Sequence, residues 1–405
     1  MSNQIVLRNC GKIDPLNIST HIACNGFEAL GKALTTMSPE EIIEEVKTSN
    51  LKGRGGAGFS SGLKWELARN AAGDQKYLIC NADEGEMGTF KDRHILAGDP
   101  FTLIEGMAIA GHAIGADKAY IYLRSEYHYL LEKIINAVDQ AKGKGFLDHL
   151  DIEIQEGAGA YICGEESALM KSIEGLRGEA RIKPPFPTDR GLFGCPTIIN
   201  NVETLMNIPS IIRKGGEWFR QIGTGKSAGT KVFSVSGDVE RPGVYELEMG
   251  SSLKELVVDL AGASEVKAVQ VGGATGRILP GAMLETPLSY ETVLGSGGVV
   301  VFDRSRSIVE MVAGDISFLA EESCGQCTPC REGTEVMLEI FGRMETLGAT
   351  ANDIDALEDL SSGMMLSSLC GLGQAAPIPV LDSLKYFRDE YEQRVEQAGF
   401  VKNIM

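Results

Sequence analysis

Four cysteines near the end of the 405-residue chain have the spacing of metal ligands. Cys324, Cys327 and Cys330 form a C-x2-C-x2-C pattern, and Cys370 is the only cysteine that follows. Three thiolates at this pitch suit a loop around three corners of a cubane, whereas structural zinc more often uses two separated C-x2-C pairs. The position where bacterial ferredoxins place a further cysteine holds Thr334. The pattern therefore favours a [4Fe–4S] cluster with Cys370 as the distant fourth ligand, and zinc or reduced core thiols are the alternatives.

A glycine-rich segment, Gly-Arg-Gly-Gly-Ala-Gly at residues 53–58, is the second candidate for chemistry. It satisfies G-x-G-x-x-G, but the dinucleotide-binding interpretation requires a strand immediately before it. Residues 38–49 instead read as a helix, with Ser38 as N-cap and Pro39 in the first turn. We therefore expect phosphate or backbone contact at the start of the following helix, with Lys64 in reach as a point charge. A tight structural turn is the alternative.

Three further polar segments are candidates for ligand binding. Residues 81–88 and 156–167 each follow a predicted strand and combine glycines with carboxylates, and residues 200–204 read Asn-Asn-Val-Glu-Thr. Ligands of open α/β sheets bind beyond the carboxyl ends of the strands. A solvated acidic face is the alternative for each segment alone, but it does not account well for all of them together.

The elements that must position these residues fall into three regions. Strands at residues 76–80, 118–123 and 151–155 alternate with helices, which predicts a largely parallel sheet in a domain at 1–227. Residues 228–305 read as a small α+β module that begins with a hairpin. From about residue 308 the chain is predicted to be helical, which gives a third domain at 306–405.

Composition excludes several classes of partner. The chain has 38 basic and 56 acidic residues, a net charge of −18, which argues against binding nucleic acid or an anionic membrane surface. The most apolar long window, residues 101–123, contains four charged or histidine side chains and so is not expected to span a bilayer. The first residues lack a secretory signal, so we expect a cytoplasmic protein without direct membrane insertion, whose cysteines are thiols or metal ligands.

Seven segments together resemble one family, and the resemblance covers nearly the whole chain. The segments are GRGGAGFSSGLKW, NADEGEMGTFKDR, GAGAYICGEESAL, RIKPPFP, NNVETL, ESCGQCTPCREGT and SLCGLGQ. They look like the NADH-binding flavoprotein subunit of respiratory complex I and of NAD-linked, bifurcating-type hydrogenases and formate dehydrogenases. The resemblance implies a flavin-binding α/β domain that is not a classical Rossmann fold, a ubiquitin-like β-grasp module and a C-terminal helical bundle with the [4Fe–4S] cluster.

The resemblance also implies a ligand for each motif. Phe59 and Phe186 would contact the adenine of NADH, Glu86 would lie near the nicotinamide, and Glu166 would lie near the adenosine ribose. A carboxylate there would repel a 2′-phosphate and favour NADH over NADPH. The other residues implied for FMN and the pocket around it are Gly53, Gly55, Gly56, Ala57, Lys64, Asn81, Asp83, Glu84, Tyr161, Gly164, Glu165, Lys183, Asn200, Asn201 and Thr204.

The implied activity is that of an electron-entry subunit. NADH gives a hydride and an iron–sulfur cluster takes single electrons, so FMN must stand between them, and no catalytic acid or base is required. The implied partners are a [2Fe–2S] thioredoxin-like subunit and a further iron–sulfur or catalytic subunit, most simply of a hydrogenase. Complex I and formate dehydrogenase are the alternatives.

Two departures from the family pattern and two other function classes bear on this interpretation. Leu67 stands where some relatives have an aromatic ring, and the fused [2Fe–2S] and ferredoxin modules of many hydrogenase relatives are not found, so we expect those centres on partner chains. A zinc-stabilised scaffold with a vestigial flavin site is one alternative function. Soluble-ligand or polysaccharide binding by residues 228–305 is the other, but that region has no aromatic platform.

Overall fold

The computed structural model describes residues 4–404, and the side chains of residues 4–398. The first sheet has four strands: β1 (Tyr77–Ala82), β2 (Lys118–Leu123), β3 (Asp151–Glu156) and β4 (Thr197–Asn201). Its strand order is β3-β2-β1-β4, and every pair is parallel, as predicted for a sheet whose strands alternate with helices. All four strands therefore end at the same edge.

Helices surround this sheet. They are α1 (Ile18–Ile22), α2 (Glu28–Thr36), α3 (Pro39–Thr48), α4 (Ser61–Asn70), α5 (Lys91–Gly98), α6 (Pro100–Ile114), α7 (Leu131–Gly143), α8 (Glu166–Ile173), α9 (Pro187–Arg190), α10 (Val202–Lys214) and α11 (Gly216–Arg220). The predicted start of α3 is confirmed, since the Ser38 side chain and the Glu41 side chain cap each other's backbone. The strand β4 and the helices α1, α5 and α8 to α11 were not predicted as elements.

Alternate residues of the first sheet enter two different cores. Leu78 and Cys80 of β1 pack with Met107 of α6 and Leu205 of α10 on one face. Ile79 faces the other way and shares a core with α8 and the C-terminal helices. The period-two alternation of a strand thus places the sheet between two layers of helices, and the second layer belongs to the region that carries the C-x2-C-x2-C pattern.

The second sheet is mixed and has five strands. They are β5 (Thr230–Gly237), β6 (Gly243–Glu248), β7 (Val266–Val271), β8 (Arg277–Pro280) and β9 (Gly298–Asp303), in the order β6-β5-β9-β7-β8. The predicted hairpin is confirmed, since β5 and β6 are antiparallel neighbours, while β5 and β9 are parallel. The helix predicted at 252–260 is π-helical over Glu255–Leu260. This sheet has a hydrophobic core of its own.

The remainder of the chain is helical, as predicted. Its helices are α12 (Ile308–Glu321), α13 (Thr328–Glu345), α14 (Ala351–Ser367), α15 (Gly371–Ala375), α16 (Pro377–Tyr386) and α17 (Arg388–Ile404). The loop between α12 and α13 holds Cys324 and Cys327, and Cys370 lies between α14 and α15. The α13 and α14 helices pack together and so bring the two cysteine segments to one end of the bundle.

Candidate functional site

The ends of the four parallel strands meet in what we call the sheet-edge pocket, formed by residues 53–58, 81–86, 157–166 and 200–204. The register pairs Asn81 with Asn201 across β1 and β4, so two predicted amides are neighbours. Asn81 donates a hydrogen bond to the carbonyl of Gly164, 3.0 Å away. The structure thus brings the segments singled out from sequence to one edge, which is where ligands of open α/β sheets bind.

The glycine loop lies between α3 and α4 and not after a strand, which confirms that it is not a dinucleotide-binding fingerprint. A Cβ on Gly55 would come within 3.1 Å of the Cβ of Asn201, so the loop lies tightly against β4. Gly56 has φ +134°, and a Cβ on it would meet no atom of the described residues within 4 Å, so its outer side is open to a ligand. Such a backbone conformation favours glycine. The loop therefore has one face pressed on the sheet and one face free.

Arg54 fixes this loop from inside the protein. Its side chain is fully buried and donates to the carbonyl of Ala228 at 2.6 Å and of Thr230 at 3.1 Å. Its backbone N–H donates to the Thr204 hydroxyl at 2.8 Å. Sequence reasoning assigned no role to Arg54, although it stands inside the glycine motif. Thr204 holds the loop through this contact.

Asp83 is the one predicted carboxylate with an unused buried oxygen in the described part of the chain. Its backbone is held by Asn81, but its Oδ2 atom is buried and has no hydrogen-bond partner among the described residues. Burial raises the pKa of Asp83 to about 7, and Arg124 only partly opposes this. An unpaired buried carboxyl oxygen is costly unless a ligand donates to it. It fits a hydroxyl-bearing ligand.

Glu84 has a different role from its neighbour. Its carboxylate accepts from the backbone N–H of Asp92 at 2.8 Å and of Arg93 at 3.1 Å, and from the Tyr127 hydroxyl at 2.9 Å. It therefore caps the start of α5, where a negative charge is favourable. Burial raises the pKa of Glu84 to about 7. The side chain supports the loop and does not face the pocket as a free group.

Glu86 joins the pocket to the second sheet. It accepts from the Tyr161 hydroxyl at 2.7 Å and from the backbone N–H of Ala274 at 2.8 Å. Burial raises its pKa, and these hydrogen bonds oppose the shift. The two predicted residues Glu86 and Tyr161 are thus one hydrogen-bonded unit.

Two lysines and two glutamates form a cluster beside the glycine loop. Lys183 contacts Glu165 at 2.9 Å and Glu166 at 2.6 Å, and Lys64 contacts Glu166 at 3.4 Å. Burial alone would raise the pKa of Glu166, but Lys64 and Lys183 outweigh it and hold the pKa below its usual value. Glu165 also caps α8 through the backbone of Ser167. Glu166 is therefore an ionised carboxylate between two cations.

Apolar side chains flank this cluster. Phe59 and Phe186 are each 52% exposed, and Leu67 is 46% exposed. Phe59 follows the glycine loop, Phe186 precedes α9, and α4 packs against α9. Exposed rings beside a polar pocket are available to a flat ligand.

A buried ionic network behind the pocket was missed from sequence. Lys91 contacts Asp92 at 2.6 Å and Glu203 at 3.0 Å, and Lys231 of β5 contacts Glu203 at 2.5 Å. Burial lowers the pKa of Lys231 to about 7 against the opposing effect of Glu203. Lys91 also donates to Asn201, which therefore takes its orientation from this network. Lys91, Asp92 and Glu203 stand inside the quoted motifs, so the motifs carried a signal, whereas Lys231 carried none.

Like Asn201, Asn200 is held by a hydrogen bond from within the protein. Its Oδ1 atom accepts from the indole N–H of Trp65 at 2.9 Å. The predicted asparagines at the end of β4 are thus oriented by partners behind the pocket.

The four cysteines of the sequence pattern line one cavity, which we call the cysteine cavity. Cys324, Cys327, Cys330 and Cys370 are joined there by apolar side chains. Those side chains are Ile162, Ala180, Leu369 and Leu372, and the polar residues Ser323 and Gln326 complete the lining. All nine cysteines lie in the described part of the chain and are free thiols. Cys370 thus lies in the same cavity as the distant triplet, and its role as the fourth ligand stays a prediction.

The residues of the cysteine cavity and of the sheet-edge pocket fit the two cofactors that the sequence implied, a [4Fe–4S] cluster and FMN. Within residues 4–398 no three His, Cys, Asp or Glu side chains are arranged to hold a single metal ion. Four thiols around an apolar cavity suit a cubane cluster. The open glycine loop and the unpaired Asp83 oxygen suit a phosphorylated, hydroxyl-rich cofactor such as FMN.

Comparison with known families agrees with this geometry. Residues 46–210 match the Nuo51 FMN-binding domain, residues 310–394 the NADH-ubiquinone oxidoreductase-F iron-sulfur binding region, and residues 232–277 the SLBB domain. Among the described residues, no helix has both the length and the apolar character needed to cross a membrane.

Individual relatives cover almost the whole chain. An NADH-quinone oxidoreductase F subunit of Rhizobium meliloti is 44% identical over 98% of this chain and 99% of its own. The NADP-reducing hydrogenase subunit HndC of Solidesulfovibrio fructosivorans is 44% identical over 97% of this chain and 84% of its own. A crystal structure of NAD+-reducing [NiFe]-hydrogenase in the H2-reduced state matches with a TM-score of 0.89 and 40% identity, over 97% of this chain and 67% of that one. The chain belongs to the family of NADH-binding FMN/[4Fe–4S] oxidoreductase subunits that complex I-like enzymes share with NAD-reducing hydrogenases.

Proposed function

We propose that the sheet-edge pocket is the FMN and NADH site of this subunit and that the cysteine cavity holds its [4Fe–4S] cluster. The observation that carries the proposal is a shared 3-10 turn, Tyr161–Gly164. Tyr161 hydrogen-bonds Glu86 in the pocket, and the next residue, Ile162, lines the cysteine cavity. One turn thus separates the two sites. FMN, when bound, accepts a hydride from NADH and releases its electrons singly to an iron–sulfur cluster.

We propose one set of ligands for the [4Fe–4S] cluster and another for FMN. Cys324, Cys327, Cys330 and Cys370 would hold the cluster. For FMN we propose the backbone of residues 53–57 and the side chains or backbone of Lys64, Asn81, Asp83, Glu84, Tyr161, Gly164, Glu165, Asn200, Asn201 and Thr204. Because Glu84, Asn201 and Thr204 are engaged within the protein, their part is to shape the pocket. The contribution of the protein is orientation of the two reactants and exclusion of water, which accounts for large rate effects without a catalytic acid or base.

We propose that NADH enters over the face lined by Phe59 and Phe186. Those rings would stack on the adenine, Glu86 would lie near the nicotinamide, and Glu166 with Lys183 would meet the adenosine ribose. An ionised carboxylate accepts hydrogen bonds from a 2′-hydroxyl and repels a 2′-phosphate. The low pKa of Glu166 keeps it ionised at neutral pH and supports a preference for NADH.

The surrounding assembly is part of the proposal. The three domains would run 1–227, 228–305 and 306–405, with the mixed second sheet as a β-grasp module. A [2Fe–2S] thioredoxin-like subunit and a further iron–sulfur or catalytic subunit would receive the electrons in the cytoplasm. The similarity to HndC and to the NAD+-reducing hydrogenase favours a hydrogenase. The similarity to the Rhizobium protein keeps complex I as the second candidate, and formate dehydrogenase is the third.

The experiment is anaerobic purification followed by analysis for flavin, iron and sulfide, and by an assay of NADH-dependent reduction of an artificial acceptor. We expect one FMN and about four iron and four sulfide per chain. One zinc per chain, or no flavin and no activity after FMN is added, would contradict the proposal. Affinity purification from the native host, with identification of co-purifying chains, separates a hydrogenase from complex I and formate dehydrogenase.

A further inference from the structure

The turn between the two sites is held from the cluster side by a single carboxylate. Glu322 follows α12 and stands two residues before Cys324. Its Oε2 atom accepts a hydrogen bond from the backbone N–H of Tyr161 at 2.9 Å. Glu322 therefore joins the start of the cysteine loop directly to the turn that faces the sheet-edge pocket.

Other contacts lie close to the hydrogen bond between Glu322 and Tyr161. The ring centroids of Tyr161 and Phe318 lie 5.2 Å apart, so the turn packs against α12, the helix that ends at Glu321. Arg177 donates to the carbonyl of Cys324 at 3.1 Å. Two side-chain hydrogen bonds among the described residues hold the backbone of the turn itself: Glu322 accepts from Tyr161 at its start, and Asn81 donates to the carbonyl of Gly164 at its end.

The position of Glu322 is not explained by the stability of its own helix. The carboxyl end of a helix carries partial negative charge, and an acidic side chain there is unfavourable. Glu321, its neighbour, shares that helix end but is exposed, and no contact among the described residues joins it to the turn. Glu322 differs from Glu321 in the contact with Tyr161, and this contact spans 161 positions of the sequence.

We infer that Glu322 is a positioning residue that fixes the Tyr161–Gly164 turn between the sheet-edge pocket and the cysteine cavity, and thereby sets the rate of electron transfer from one to the other. The inference rests on the proposed function of the two sites. The step concerned moves one electron from the flavin, reduced by NADH, to the oxidised cluster. In this inference Glu322 acts through the backbone of Tyr161.

Two substitutions separate position from charge. E322Q keeps the length of the side chain and an oxygen acceptor but removes the charge, whereas E322D keeps the charge but shortens the reach by one methylene. A misplacement of about 1 Å can slow a reaction by on the order of a hundredfold. We therefore expect E322D to slow cluster reduction roughly tenfold or more and E322Q to stay close to the wild type. E321D and E321Q are the matched controls at the same helix end and should match the wild type.

The measurement uses the full chain loaded with FMN and cluster and mixed with NADH. Flavin bleaching reports the hydride step, rapid-freeze electron paramagnetic resonance reports the reduced cluster, and hydrogen exchange reports protection of the Tyr161 amide. Slower cluster reduction and lower amide protection in E322D, with flavin bleaching unchanged, would support the inference. Normal cluster reduction in both variants would overturn the inference, because neither the length nor the charge of the side chain would then matter. Slow reduction in E322Q with normal reduction in E322D would also overturn it, because the charge alone would then matter. A wild-type chain that lacks flavin or iron would overturn the proposed function itself.

Discussion

The sheet-edge pocket and the cysteine cavity lie on either side of one turn but are built in opposite ways. The cavity takes its four thiols from two neighbouring segments of one helical region, and most of the other side chains in its wall are apolar. The pocket collects polar groups from the ends of four strands, and several of them are oriented by partners behind it. We therefore expect the cavity to fail completely when one ligand is removed, and the pocket to lose its functions by degrees.

The largest effect should come from a ligand of the cavity. Cys370→Ser removes the one proposed ligand that lies outside the triplet, and a cubane held by three thiolates is expected to be lost. Iron and sulfide analysis of the purified chain should fall from about four each to near zero. Cys195→Ser is the control, since Cys195 is half-buried and lies outside the cavity. A full iron content in the Cys370 variant would place the fourth ligand elsewhere.

The next effect concerns the ionic network that supports the pocket. Lys91→Met leaves the buried carboxylates of Asp92 and Glu203 with one cation fewer, and breaking such a buried pair costs about 3–5 kcal/mol. The free energy of unfolding, from urea titration, should fall by that amount. Lys254→Met breaks an exposed pair with Glu285 and should cost about 0–1 kcal/mol. Equal losses in the two variants would show that the network does not support the pocket.

A smaller effect, of opposite sign, is expected inside the pocket. Burial raises the pKa of Asp83 to about 7, so its ionised form is disfavoured in the folded chain without cofactor. Stability conferred by the protonated group is present at low pH and is lost as the pH rises from about 4, the unfolded value, to about 7. Asp83→Asn should therefore stabilise the cofactor-free chain above pH 7, by on the order of 1–3 kcal/mol, while weakening FMN binding.

Urea unfolding at pH 5 and pH 8 and FMN titration measure these two consequences. Asp148→Asn, at an exposed carboxylate, is the control and should change neither quantity. If Asp83→Asn left FMN affinity unchanged, the unpaired oxygen of Asp83 would not be a cofactor ligand. A gain in stability that did not grow with pH would count against the raised pKa as its cause.

The same contrast explains what the sequence could predict. The cysteine pattern and the parallel sheet follow from local spacing, because three cysteines lie within seven residues and each strand alternates with a helix. The segments of the pocket were singled out from their glycines and polar side chains, whereas the roles of individual residues in them came from the family resemblance. Spacing alone could not show that Glu84 caps α5 or that Lys231 of the second sheet meets Glu203, since tertiary packing decides those contacts. The unpredicted residues are mostly those that hold the pocket from behind.

The smallest effect separates two origins of nucleotide preference. Glu166→Ala should raise kcat/KM for NADPH about tenfold, equivalent to about 1.4 kcal/mol, with little change for NADH. Glu179→Ala is the control, because Glu179 forms a comparable pair with Lys171 at 2.9 Å but is not assigned to the ribose. Unchanged kinetics with NADPH would contradict the position of Glu166 at the ribose.

Two causes could produce the gain with NADPH, since removing Glu166 both ends a repulsion and frees Lys183 from a contact of 2.6 Å. Adding Lys183→Met to Glu166→Ala distinguishes them: the gain persists if repulsion is the cause, and it disappears if the freed lysine attracts the 2′-phosphate.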